Sequence, residues 1–171
     1  MTLIVCPLSH VPAVVARRRP SHVITLLDPV ELIDPLEGYH PERHLRLGVH
    51  DIPEQAEGLI CPDETTVEAI LQFGATWAGD EPLLVHCWAG ISRSTAAAFT
   101  LACERNPGVD ERRIAGELRR ASRTAKPNRR IVAVADDMLG RGGHMVDAAD
   151  SIGLGESAWE GEPFDLPIRY A

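Results

Sequence analysis

The sequence predicts an α/β fold with a central, mainly parallel, twisted sheet flanked by helices. Short apolar runs at Leu3–Val5, His22–Leu27 and Leu83–Val85 have the length and composition of buried strands. Between them lie segments whose apolar residues recur at helical spacing. Strands separated by helices must cross over and lie parallel, and such sheets take ligands at the carboxyl ends of their strands. A third observation places that end. The stretch Leu83 to Thr100, LLVHCWAGISRSTAAAFT, reads as a strand, a tight loop containing Gly90, and an Ala-rich helix.

Taken in order, Leu3–Val5 is a short strand, and Ser9 is placed to cap a helix through about Arg17 that carries Val11, Val14 and Val15. His22–Leu27 forms the next strand, stopped by Asp28-Pro29. From there to Tyr39 the prolines and carboxylates predict a loop with at most a helical turn. His44–Val49 alternates Leu45, Leu47 and Val49 with polar neighbours, the pattern of a half-exposed strand, and delivers Asp51 at its end. A polar loop runs to Pro62. Asp63 then caps a helix with Val67, Ile70, Leu71, Gly74 and Trp77 on one face, ending at Ala78-Gly79.

After the Leu83–Val85 strand and its loop, a helix to Glu104 is apolar on most faces and is expected to be buried. Asn106-Pro107-Gly108 breaks it. Asp110 caps a helix with Ile114, Ala115, Leu118 and Ala121 inward, and Asn128 to Leu139 forms the last core helix. Asp136 and Asp137 read as surface charges on it. His144–Leu154 reads as a further helix, and the Gly- and Pro-containing tail beyond as irregular. The chain of 171 residues is expected to form one domain, its core in about 1–140 and a C-terminal extension in 141–171.

Composition narrows the partners. A net charge of −8 argues against nucleic acid or an anionic membrane, which attract basic surfaces, and no apolar stretch is long enough to span a bilayer. Cys6, Cys61, Cys87 and Cys103 form no C-x-x-C pair, so a reducing cytoplasm is the expected setting rather than a disulfide framework. The first residues place charge after a short apolar run, the reverse of a signal peptide. Of 17 basic side chains only Lys126 is a lysine, a weak hint of a bacterial source.

A strand, a tight loop and a helix make an anion site, because the loop and first helical turn carry backbone N–H groups without partners and the positive end of the helix dipole. Trp88, Ala89, Gly90, Ile91 and Ser92 would supply those amides to a phosphate-sized dianion. Cys87 stands at the strand end, where the same field favours a thiolate nucleophile. Arg93 closes the ring with a planar fork that matches two phosphate oxygens. Ser94 can donate a hydrogen bond to the sulfur and stabilise it as a leaving group.

At His86, Cys87, Arg93 and Ser94 the chain resembles the cysteine-dependent protein tyrosine phosphatase superfamily, whose signature is H-C-x5-R-[ST]. Gly90 and Ser92 fall where its small dual-specificity branch has G-x-S-R-S, so the resemblance is closest to that branch and to bacterial tyrosine phosphatases. It implies a phosphomonoester hydrolase working through a cysteinyl-phosphate, with no metal and no cofactor. It also implies that His86 orients the loop and helps lower the thiol pKa, and that the Asn128 side chain in AKPNRR braces the loop. A rhodanese-type sulfurtransferase loop is one residue shorter. Low-molecular-weight phosphatases carry the cysteine near the N-terminus, whereas Cys87 is central.

Such chemistry needs a general acid to protonate the leaving group. In the resembling family it lies a few tens of residues upstream on a loop after a strand, and Asp51 fits in spacing and context. Asp28, Asp34, Glu54 and Glu57 stand as alternatives. His40, His44 and His50 have metal-like spacing, but Pro41 breaks any helix that would align them and no cysteine joins. Phosphoinositide-directed relatives place lysine in the loop, and this loop has none, so the expected substrate is protein phosphotyrosine, with phosphoserine, phosphothreonine and small phosphomonoesters still open. The competing expectation is a phosphate-binding module without turnover.

Overall fold

A computed structural model describes residues 1–170. Five strands form one sheet in the order β3-β2-β4-β1-β5: β1 (Thr2–Pro7), β2 (His22–Leu27), β3 (His44–Gly48), β4 (Leu83–Cys87) and β5 (Phe164–Pro167). The first four are parallel, while β5 runs antiparallel along β1. The register sets Pro7 beside Cys87 and Thr25 beside His86, so β1 and β2 flank the start of the loop.

Alternation along the strands divides the interior. Leu3, Val5, Ile24, Leu26, Leu83, Val85 and Cys87 face the main core, built with α2 (Glu64–Thr76), α3 (Arg93–Glu104), α4 (Glu111–Ala121), α5 (Arg129–Met138) and α6 (His144–Ser151). Ile4, Cys6, Val23 and Leu84 face the other way, under Val11 and Val14 of α1 (Val11–Arg18). Every residue of α3 from Arg93 to Cys103 is buried. Its small side chains allow the sheet and three helices to pack around it, with Phe99 filling the space they leave. Removing that ring would cost about 3–5 kcal/mol.

Helix ends follow local chemistry. Asp63 and Thr66 exchange hydrogen bonds at the start of α2, a capping box, and Asp110 and Asn128 cap α4 and α5. Ser9 does not cap α1. The residues Leu8–His10 form a 3-10 turn, α1 starts at Val11, and the Ser9 hydroxyl donates to Glu160 at 2.8 Å instead.

Past residue 140 the chain stays in the core. Met145 and Ala148 of α6, Phe164 and Leu166 of β5, and Ile168 all bury against the main cluster. Phe164-Asp165-Leu166-Pro167 alternates buried and exposed along the edge of β1, so the tail read as irregular contains a strand. Asp136 is a correction as well. It is 2% exposed, and its two oxygens accept the N–H groups of Gly143 at 2.6 Å and Met145 at 2.7 Å, fixing the turn into α6. Among the described residues no helix is long and apolar enough to cross a membrane.

Candidate active site

The loop between β4 and α3 is shaped by where its carbonyls go. The carbonyl of Trp88 accepts the N–H of Leu8 at 3.0 Å, that of Ala89 the N–H of Gly161 at 2.8 Å, that of Ile91 the N–H of Lys126 at 2.9 Å, and that of Ser92 the N–H of Asn128 at 3.1 Å. Among the described residues every peptide bond is trans. In a trans peptide the N–H points opposite its carbonyl, so four carbonyls tied outward turn the amides of Ala89, Gly90, Ser92 and Arg93 toward the loop's centre. The α3 N-terminus adds the positive end of its dipole.

Gly90 is required at its position. Its φ is +68°, and a Cβ there would lie 2.6 Å from Pro7 N and 2.8 Å from the carbonyl carbon of Cys6, both main-chain atoms. The loop is therefore pressed onto the end of β1.

Cys87 and Ser94 meet across the loop, Sγ to Oγ at 3.1 Å. Arg93 is only 5% exposed. Its Nη1 donates to Asp28 Oδ1 and to the Val49 carbonyl, each at 2.7 Å, while Nε is buried with no partner among the described residues. A guanidinium held at one nitrogen with another left unsatisfied is poised for an oxyanion, which would supply the missing acceptor.

Asp51 lines the same cavity and is bonded to the loop. Its Oδ1 accepts the Ser92 hydroxyl at 2.6 Å and the Asn128 side-chain amide at 2.8 Å. The Asn128 side chain reaches the loop through Asp51: its amide goes to Asp51 Oδ1 and the Ile52 carbonyl, its oxygen caps Ile131, and its main-chain N–H goes directly to the Ser92 carbonyl. Cys87, Arg93, Asp51 and Asp28 line one cavity of about 430 Å³ with Trp88, Ala89, Ile91 and Ser92. Glu31 and Trp159 complete its rim.

Behind the cysteine lies a buried polar chain. The Leu36 N–H donates to His44 Nδ1 at 3.2 Å, which leaves the proton of this imidazole on Nε2. That Nε2–H donates to Thr25 Oγ1 at 2.8 Å, and the Thr25 hydroxyl donates to His86 Nε2 at 2.7 Å. The remaining proton of His86 is then on Nδ1, which is buried and meets no acceptor among the described residues. Burial holds both imidazoles down to about 4, from an ordinary 6.5. His86 is thus neutral at physiological pH. As an uncharged ring it ties β4 to β2 through Thr25.

His44, read from spacing as one of three metal-like histidines, has both nitrogens engaged in this chain. His50 Nδ1 accepts the Ile60 N–H at 2.9 Å. Three contributors escaped the sequence reading: Thr25, Trp159 and Gly161. Thr25 carried a signal, a lone hydroxyl inside the apolar run HVITLL. Asp28 was read only as an alternative acid, and its carboxylate is spent on Arg93.

These features together define the architecture of a phosphatase fold, a mostly parallel sheet with its anion loop between a central strand and a buried helix. A solved structure of the dual-specificity phosphatase DUSP15 is similar, with a TM-score of 0.59 and 20% sequence identity over 91% of this chain and 94% of that one. The likeness shows the shared fold. No protein-family model and no curated protein matches the sequence.

Proposed function

We propose that this protein is a phosphomonoester hydrolase that acts through a cysteinyl-phosphate, on phosphotyrosine in proteins. The observation that carries the reading is the convergence of the Cys87 thiol, the Arg93 guanidinium with its unpaired Nε, and four inward-turned amides on one loop. The fold shared with DUSP15 supports it.

In the first half-reaction Cys87 Sγ, as thiolate, attacks phosphorus. The S–P bond forms as the P–O bond to the leaving group breaks, and Asp51 gives that oxygen its proton. Charge on the equatorial oxygens meets the loop amides and Arg93, a preorganised field that costs no reorganisation at the moment of transfer. In the second half-reaction Asp51 takes a proton from water, whose oxygen attacks phosphorus. The P–S bond breaks, and the Ser94 hydroxyl donates to the departing sulfur across the 3.1 Å contact. Phosphate and the thiolate are the products.

The test is hydrolysis of p-nitrophenyl phosphate in the presence of EDTA by the parent chain and by Cys87→Ser. Turnover by the parent alone, with vanadate binding retained in the variant, is the expected result. Equal turnover by both proteins removes the nucleophile. An inactive parent that still binds vanadate would identify a phosphate-binding module without turnover.

A further inference from the structure

The segment from Gly155 to Gly161 passes beside the phosphate loop as a strap anchored at both ends. The Glu156 N–H donates to the Arg123 carbonyl at 2.9 Å and the Gly161 N–H to the Ala89 carbonyl at 2.8 Å. Glu160 accepts the Ser9 hydroxyl, and Arg119 donates to the carbonyls of Ile152 and Gly153 just before the strap. Gly161 lies so close that a Cβ would meet Thr124 Oγ1 at 3.0 Å and the Gly90 carbonyl oxygen at 3.4 Å.

At the crest of this fixed strap stands Trp159, 82% exposed. Among the described residues its ring contact is with the indole of Trp88 in a T-shaped pair, centroids 5.4 Å apart at 88°. An indole offers about 150–250 Å² for burial, and a main chain so firmly held leaves it nowhere in the core to go. It lines the same cavity as Cys87 and Arg93. A large aromatic surface on a rigid support beside an oxyanion cradle suits a ligand that carries a flat apolar group next to its phosphate.

We infer that Trp159 is a specificity-determining residue: its indole is the wall on which the aryl ring of an aryl phosphomonoester rests while the phosphate occupies the loop. The inference rests on the phosphate-site reading above and names the element that selects aryl over alkyl esters. Trp88 backs the wall through the T-shaped pair, and the strap fixes its distance from the loop through Gly161.

Binding to the inactive Cys87→Ser protein tests it, with phenyl phosphate and inorganic phosphate as the two ligands, measured by calorimetry. With Trp159 present, phenyl phosphate should bind more tightly than inorganic phosphate. Adding Trp159→Ala should weaken phenyl phosphate about tenfold, the size of one lost aromatic contact with its burial, and leave inorganic phosphate affinity as it was. Trp159→Phe should restore most of the difference. A matching tenfold fall in kcat/KM for a phosphotyrosyl peptide relative to a phosphoseryl peptide is expected from the Trp159→Ala enzyme with Cys87 intact.

Equal weakening of both ligands would show that the residue only braces the loop, and unchanged phenyl phosphate affinity would place the ring elsewhere. Either result overturns the wall while the phosphate site stands. Failure of both ligands to bind when Trp159 is intact overturns the phosphate site, and the wall with it.

Discussion

The carboxylate of Asp51 accepts the hydroxyl of Ser92 at 2.6 Å, so the proposed acid is tied to the loop that carries Cys87. A fixed geometry between acid and thiol is what protonation of a leaving group requires. Asp51→Asn keeps the shape and removes the proton. It should lower kcat about 10²–10⁴-fold on phenyl phosphate, the usual size of general acid catalysis. p-Nitrophenyl phosphate, whose phenolate departs unaided, should lose less. Equal losses on both substrates would show damage to binding rather than a missing proton, and Glu54 would be replaced next.

Arg93→Lys tests the fork. Nη1 is already committed to Asp28 and Val49, so an oxyanion in the loop has the other nitrogens to meet, which a lysine lacks. Vanadate affinity and kcat should both fall, by tenfold or more in the range of about 1.5–3 kcal/mol for a charged hydrogen bond. Unaltered kinetics would mean that the loop amides alone bind the oxyanion.

Gly90→Ala should fail in a way its size does not suggest. The added methyl meets main-chain atoms of Cys6 and Pro7 at a positive φ, and neither can yield without moving β1. A loss of about 2–4 kcal/mol in urea unfolding is expected, together with oxyanion binding. A variant of parental stability would show that the loop can lift off the strand.

Acid should destabilise the fold through its buried imidazoles. His44 and His86 sit at about 4 when folded against 6.5 when free, so between those values the unfolded chain binds more protons. Their stabilising contribution is complete above pH 6.5 and is lost as pH falls toward 4, at up to about 1.4 kcal/mol per pH unit from each. Urea midpoints at pH 7, 6 and 5 measure it. His44→Gln should shallow the slope, and a midpoint that stays flat from pH 7 to 5 would show that both histidines are already matched by compensating groups.

Local chemistry was legible and distant pairing was not. The strand, loop and helix around Cys87 could be read because an apolar run, a five-residue interval and an Ala-rich segment lie side by side in the chain. β2 could be read to the residue, since His22 and Asp28 bound its apolar run. β5 could not: four residues in a Pro-containing tail become a strand only because β1 offers an open edge. Asp136 looked like a surface charge because helical periodicity sees its own helix and not the turn into α6 that folds back over it. Trp159 carried no pattern at all, because its place at the cavity is set by hydrogen bonds to Ala89 and Arg123, far away in sequence.

The dependence of the Ala89 carbonyl on Gly161 bears on how the protein is made. Synthesis proceeds from the N-terminus, so Cys87 and its loop leave the ribosome well before the segment that turns the Gly90 amide inward. During that interval β1 also lacks its edge partner β5, and Ala89 has an unclaimed acceptor. The loop therefore takes its full shape last, through contacts of long sequence separation that form slowly. The Ala89 carbonyl finds its partner only in a chain whose synthesis has passed Gly161.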